Sequence, residues 1–230
     1  MVEHRICNAK IVGSIPTRSN KFMNEFTLFA QPWWMNFLIV IPFVSYYLWR
    51  KEGLTISKWT LVVSSLFGIA FGFVEASIVI YARAAVGLLP GYGGTLSDVA
   101  RLSANIYQQA QILDKLPRSL LVIDFFREAA TIIMLLSVAL LTTKRLRERW
   151  AIFLWTFAIW DIFYYIGLWA TVRWPSSLLT PDVLSLVPVP WFSQVWFPVL
   201  VSALTIVAVV ITRKDVKNLF NPNSGVSKPR

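Results

Sequence analysis

The sequence is poor in the residues that bind transition metals or carry reactive thiols. Its 230 residues contain a single histidine, His4, and a single cysteine, Cys7. A zinc site needs several such ligands, and a disulfide needs two cysteines. We therefore expect no metal site, no disulfide, and no enzyme that uses a cysteine nucleophile or a histidine base. The sequence identifies no cofactor.

Charged residues are also scarce. They make up 15% of the chain, whereas hydrophobic residues make up 56%, with 11 tryptophans and 16 phenylalanines. This composition is too apolar for a soluble domain of the same length. The chain is therefore predicted to be an integral membrane protein.

Long apolar runs define the predicted architecture. A helix needs about 17 to 25 residues to cross roughly 30 Å of hydrocarbon. Five runs fit this requirement, near residues 33–49, 59–82, 119–142, 150–170 and 195–212. None of them has the short alternating pattern of a membrane β-barrel strand. We predict an all-α fold, a polytopic transmembrane helix bundle of about five spanning helices.

Residues 1–22 differ in character from the rest of the chain. They are polar, lack the apolar centre of a signal peptide, and include "VGSIPTRS", which resembles the product of translating through a tRNA gene. We interpret 1–22 as a non-native or disordered extension and Met23 as the start of the protein. The rest is predicted to form one transmembrane domain over 23–215, followed by a cytoplasmic tail over 216–230.

The net charge of +10 does not indicate nucleic-acid binding. Basic residues are concentrated in the short loop 143–149 and after the last apolar run, as in the cytoplasmic loops of membrane proteins. No basic face alternates with the exposed aromatic residues on which bases stack. The expected partner is the lipid bilayer, whose anionic headgroups would contact these charges.

The distribution of lysine and arginine predicts the orientation. With 1–22 set aside, the side bearing the C-terminus carries twelve of these residues and the other side carries five. The side richer in positive charge faces the cytoplasm, so we predict an outer N-terminus and a cytoplasmic C-terminus. Including 1–22 changes the ratio to twelve against nine, so the orientation depends on how that segment is interpreted.

Two long connections face outward in this topology. In the first, 84–118, a capping box from Thr95 to Asp98 precedes apolar residues that recur every three or four positions. This pattern predicts an amphipathic helix that lies on the outer interface or covers the bundle. The second, 171–195, has an apolar run between prolines, and we expect it to dip back into the bundle as a short re-entrant piece.

Acidic residues interrupt three of the apolar runs at similar depth. Glu75 lies about 12 Å below the outer end of the second run, and Asp161 lies about 15 Å below the outer end of the fourth. Arg127 and Glu128 lie about as far below the outer start of the third. An isolated charge in hydrocarbon costs several kcal/mol, so these side chains are predicted to face one another in a common site.

Helical spacing extends the predicted site. Gly68 and Gly72 form a small-residue row beside Glu75 that lets another helix approach closely. Asp124 stands four residues before Glu128, and Tyr164 and Tyr165 stand three and four residues after Asp161, so each pair shares a helix face. Arg83 lies at the outer end of the run that contains Glu75. The complete predicted ligand-binding, proton or cation site is Glu75, Asp124, Arg127, Glu128, Asp161, Tyr164, Tyr165 and Arg83.

Three functions are compatible with this site. Its formal charges leave about two carboxylates without a cation, so protons or a cation must balance them. We predict binding or transport of a small cationic or protonatable ligand. One alternative is an enzyme that acts on lipid with a carboxylate base and Arg127 holding a phosphate. The other is a structural or accessory membrane subunit in which the cluster fixes helix register.

Paired histidines, a P-loop and a serine elbow are absent, which favours a protein that is not an enzyme.

Four phrases of the sequence carry a resemblance. "FGFVEASIVIYAR", "REAATIIMLLSVAL", "WDIFYYIGLW" and "PVPWF" are together similar to a group of small, uncharacterised bacterial multi-spanning membrane proteins. The likeness covers about residues 30–212. It implies a bacterial inner-membrane location and no particular activity.

Overall fold

Most of the described chain is helical. The computed structural model describes residues 29–85, 95–97, 118–185 and 191–214. A 3₁₀ helix, Trp33–Ile39, leads directly into the first α-helix. The further elements are α1 Val40–Trp49, α2 Lys58–Ala85, α3 Arg118–Thr142, α4 Leu146–Val172, β1 Pro181–Ser185, β2 Trp191–Gln194 and α5 Trp196–Thr212.

Among the described residues, three helices are long and apolar enough to cross a membrane: Lys58–Ala82, Val122–Thr142 and Leu146–Val172. Large apolar side chains cover their outer surfaces, and Leu141 and Trp59 are 87% and 74% exposed. Outward-facing apolar side chains on long helices match the hydrocarbon of a bilayer. The protein is therefore a membrane-embedded helical protein, as the composition predicts.

Helix α4 forms the centre of the bundle, since α2, α3 and α5 all pack against it. The contact with α2 is unusually close. A Cβ atom added to Gly72 would lie 2.7 Å from the Trp160 carbonyl oxygen, and one added to Gly68 would lie 3.1 Å from that of Thr156. On α4, Gly167 meets Ala76 of α2 in the same way. Small residues four positions apart on α2 thus let the two backbones touch, as their spacing predicts.

The chain alternates between two ends of the bundle. At one end, called the basic end, the Arg147 guanidinium at the start of α4 donates hydrogen bonds to the backbone oxygens of Trp49 (3.0 Å) and Gly53 (3.2 Å). The Leu54 N–H donates to the Thr212 oxygen at 2.8 Å, which joins the end of α1 to the end of α5. The basic end therefore links the C-termini of α1 and α5 to the start of α4.

The opposite end, called the hairpin end, carries a two-stranded antiparallel sheet. Strands β1 and β2 pair from Pro181 with Gln194 to Ser185 with Trp191, with an irregularity before Ser185. The backbone of Gln31 pairs with that of Phe192, with both N–H to O distances at 2.8 Å. Each strand has only four or five residues.

The sheet departs from the predicted all-α fold. Helix α4 ends at Val172, and the left-handed backbone of the following residue, Arg173 (φ 58°), turns the chain out of the helix. The residues of β1 and β2 then satisfy their backbone hydrogen-bonding groups by pairing with each other.

Several predicted features lie outside the described residues. They include the extension 1–22, the tail 216–230 and almost all of the predicted amphipathic outer helix. The backbone of Arg83 belongs to α2, but its side chain lies outside the described part of the structure.

Candidate functional site

Arg127 on α3 lies at the centre of a polar cluster near the hairpin end. Its guanidinium forms an ion pair with Glu75 of α2, donates to Asp124 Oδ1 at 2.6 Å, and lies 3.7 Å from Glu128 Oε1. Thr131 adds a hydroxyl that donates to Glu75 Oε1 at 2.7 Å. We call these five residues the Arg127 cluster.

The spacing on α3 explains why this cluster forms. Asp124, Arg127 or Glu128, and Thr131 follow one another at three- or four-residue intervals, so they share one face of the helix. That face meets α2 where Glu75 is 4% exposed. A buried carboxylate requires charged or hydrogen-bonding partners, and here it has both the guanidinium and the Thr131 hydroxyl.

Asp161 on α4 belongs to a second cluster. It is 9% exposed, and its Oδ2 accepts a hydrogen bond from the Ser202 hydroxyl of α5 at 2.8 Å. One helical turn further along α4, the Tyr165 hydroxyl donates to Asp182 Oδ2 of β1 at 3.1 Å. Tyr165 interacts electrostatically with both carboxyl groups. We call Asp161, Tyr165, Asp182 and Ser202 the Asp161 cluster.

Strand β1 connects the two clusters. Asp182 belongs to the Asp161 cluster, while the Ser185 hydroxyl donates to Glu128 Oε2 of the Arg127 cluster at 2.5 Å. The pairing of the strand is irregular between Val183 and Ser185. Such an irregularity redirects side chains that would otherwise alternate strictly between the two faces. One short strand thus contacts both α3 and α4.

The structure brings together part of the predicted site and separates another part. Glu75, Asp124 and Glu128 meet Arg127, whereas the hydrogen bond of Asp161 in the described residues is with Ser202. Depth along a helix explains the difference, because it does not specify the direction in which a side chain points. Asp161 shares its depth with Arg127 but faces α5.

The two predicted tyrosines have different surroundings. Tyr165 is buried and bonds Asp182. Tyr164 stacks on Trp160 with ring centroids 6.4 Å apart, and it meets Tyr165 edge to face at 5.1 Å. Tyr164 therefore lies beside the Asp161 cluster, which it contacts through the Tyr165 ring. Arg83, the remaining predicted member, has a side chain outside the described part of the structure.

Sequence reasoning missed four polar residues of the clusters: Thr131, Asp182, Ser185 and Ser202. Thr131 is detectable because it stands four residues after Arg127 on the same helix face. Ser202 begins a row with Thr205 on the buried side of α5, an unusual polar pair in an apolar run. Asp182 and Ser185 lie in a short strand that carries no pattern of this kind.

The chemistry open to these groups is limited by their partners. Within the described ranges, no three acidic, histidine or cysteine side chains converge closely enough to hold a metal ion. The Arg127 guanidinium already contacts the carboxylates of Glu75 and Asp124. A phosphate would have to displace these carboxylates to reach it, which disfavours the lipid-modifying enzyme.

Two open, largely apolar grooves run along the bundle, and neither is lined by the clusters. One, of about 490 Å³, lies between α1 and Trp150 of α4. The other, of about 330 Å³, lies among α2, α4 and α5 near the basic end.

No protein-family model, no curated protein and no solved structure matches the chain. Its function must accordingly be argued from its own residues and their geometry.

Proposed function

We propose that this protein binds or transports a small cationic or protonatable ligand, at the Asp161 and Arg127 clusters. The observation that carries the proposal is the environment of Asp161. Its carboxyl group is 9% exposed, and its hydrogen-bond donor in the described residues is the neutral hydroxyl of Ser202. A buried carboxylate without a cation is costly, so the group attracts a proton or a small cation.

The neighbouring groups support reversible binding at this position. Asp182 is 1% exposed and interacts electrostatically with Asp161. Tyr165 donates a hydrogen bond to Asp182 and stands one helical turn from Asp161 on α4. A phenol can donate and accept a hydrogen bond, so it can link two carboxyl groups as protons bind and leave. Neighbouring carboxyl groups repel each other when both are ionised, which also favours uptake of positive charge.

We further propose five membrane crossings, in the cytoplasmic membrane of a bacterium. The run Trp33–Trp49 would extend about 29 Å because its first part is a 3₁₀ helix with a larger rise per residue, and α5 would extend about 26 Å. Both lengths are near the roughly 30 Å of a bilayer core. The basic end would face the cytoplasm. Reporter fusions test this, since a periplasmic C-terminus would contradict it.

Substituting Asp161 tests the proposed site. Asp161→Asn preserves the shape and a hydrogen-bond acceptor for Ser202 while it removes the ionisable group. We expect the thermal unfolding midpoint of the parent protein in detergent to respond to pH and to added small cations, and this variant to lose the response. Glu52→Gln is the matched control, because Glu52 is an exposed carboxylate at the basic end. Identical responses in Asp161→Asn and the parent would contradict the proposal.

A structural role is the second candidate, and the position of Arg127 favours it. Its ion pairs join α2 to α3, and Glu128 joins α3 to the sheet through Ser185. Such a cluster can fix the register of three elements without any ligand. If Asp161→Asn behaves as the parent does while Arg127 variants unfold, the structural role is the one supported.

A further inference from the structure

The groove near the basic end has two cationic residues at one end and mainly apolar residues along the rest of its length. It is lined by Lys58, Leu61, Val62, Ser65 and Leu66 of α2, Trp155 of α4, and Val210 and Arg213 at the end of α5. The two cations stand at the first turn of α2 and just beyond the last turn of α5. The apolar side chains continue from there toward the middle of the bundle.

The polar groups of Ser65 and Trp155, which line this groove, are hydrogen-bonded within the protein. The Trp155 indole N–H donates to Ser65 Oγ at 3.0 Å and to the Leu61 backbone oxygen at 3.3 Å. The Ser65 hydroxyl donates to the same Leu61 oxygen at 2.7 Å. With these bonds made inside the groove, an apolar chain can lie along it without leaving a donor unsatisfied.

The length of the groove matches one leaflet of a bilayer. From Lys58 to Leu66 the helix rises about 12 Å, close to half of the roughly 30 Å hydrocarbon core. Val62 and Leu66 are exposed along this length. The groove is therefore as long as the part of a lipid chain that lies in one leaflet.

The surrounding charges favour an anionic occupant. Lys58 is exposed and forms no ion pair with a described residue. The described acidic residues of the basic end, Glu52 and Glu148, form ion pairs with Arg147 and Arg145. The described cations of this end are Arg50, Lys51, Lys58, Lys144, Arg145, Arg147, Arg149, Arg213 and Lys214.

We propose that this groove binds an anionic phospholipid from the leaflet at the basic end, with its phosphate at the exposed Lys58 and one acyl chain along Leu61 to Leu66. Each cation near a membrane surface contributes about 1 kcal/mol to binding an anionic lipid, equivalent to about fivefold in affinity. The site is remote from the Asp161 cluster and does not depend on the function proposed there.

The test measures lipid-dependent stabilisation of the full chain. The thermal unfolding midpoint is followed in an uncharged detergent as phosphatidylglycerol or phosphatidylcholine is added, since a ligand that binds the folded state raises it. We expect the anionic lipid to act at lower concentration. Lys58→Gln should weaken its apparent affinity about fivefold, and by more than Lys51→Gln, which removes an exposed cation of the same end that lies outside the groove.

A second pair of variants tests the acyl-chain part of the groove. Val62→Trp fills the groove at an exposed position and keeps both cations, so it should abolish most of the response to either lipid. Val44→Trp fills the other groove, which has no charged lining residue, and should leave the response unchanged. Equal responses to the two lipids, an unaffected Val62→Trp, or the same stabilisation by inorganic phosphate alone would each overturn the proposal.

Discussion

The Arg127 guanidinium of α3 forms an ion pair with the Glu75 carboxylate of α2, a residue 52 positions earlier in the chain. This contact matters because α3 is the least buried of the three long helices. With little of its apolar surface covered by protein, α3 depends on polar contacts for its position against the bundle. The ion pair is therefore a main determinant of where α3 lies.

Replacing Arg127 should strongly destabilise the protein. Arg127→Met leaves the buried Glu75 carboxylate with the Thr131 hydroxyl and with no cation among the described side chains, and removing one member of a buried ion pair costs about 3 to 5 kcal/mol. Unfolding by denaturant in detergent micelles measures the loss. Arg173→Gln is the control, because Arg173 is exposed and stacks on Trp169 at 4.7 Å. Similar stability of the two variants would show that the ion pair is dispensable.

Removing the Tyr165 hydroxyl should weaken the contact between α4 and β1. Tyr165→Phe deprives the buried Asp182 carboxyl group of a hydrogen-bond donor, which costs about 1 to 3 kcal/mol. The free energy of unfolding of this variant is compared with that of Tyr81→Phe, which alters a tyrosine that is 70% exposed. A loss in both variants, or in neither, contradicts the assigned role of Tyr165.

A larger residue at Gly72 should separate α2 from α4. A Cβ atom there meets the Trp160 oxygen at 2.7 Å and the Tyr164 nitrogen at 2.9 Å, and these backbone atoms cannot move aside as a flexible side chain can. We expect Gly72→Val to cost about 1 to 3 kcal/mol. Ala70→Val, on the exposed side of the same helix, should change the free energy of unfolding by less than about 0.5 kcal/mol. Equal effects would mean that the close contact is unimportant.

Arg147 should stabilise the end of α1. Its cation lies at the C-terminus of a helix and donates to two backbone oxygens there, an arrangement that contributes up to about 2 kcal/mol. Arg147→Gln should therefore lower the free energy of unfolding measurably. Arg145→Gln provides the comparison, since that side chain is 74% exposed and lies 3.7 Å from Glu148, a contact of at most about 1 kcal/mol. If Arg145→Gln is the more damaging change, the assignment is incorrect.

The positions of the helices could be predicted from the sequence. The predicted run 119–142 corresponds to Arg118–Thr142, and 195–212 to Trp196–Thr212, because long, mainly apolar runs leave the backbone no partner but itself. The sheet could not be predicted in this way. Strands β1 and β2 are short and acquire their order from pairing with each other and with Gln31, which lies far away in sequence.

The position of the candidate-site residues along their helices could be predicted from the sequence, but the direction in which their side chains point could not. Counting residues from the helix ends places Glu75, Arg127 and Asp161 at one level, and Glu75 and Arg127 do meet. Whether Asp161 turns toward α3 or α5 depends on how α4 is rotated about its axis. That rotation is set by the packing of Gly68 and Gly72 against α4, which becomes visible only when the helices are assembled.

Residues on either side of helix α1 pair through their backbones with residues near the end of the described chain. Gln31 pairs with Phe192 at the hairpin end, and Leu54 pairs with Thr212 and Lys214 at the basic end. A ribosome releases α1 first and these partners last, with α2, α3 and α4 made in between. During synthesis the segment 31–54 therefore lacks these two backbone pairings until β2 and α5 are made, and a chain halted before residue 191 has neither of them. We expect α1 to remain open to quality-control proteases until α5 has been made and has packed against it.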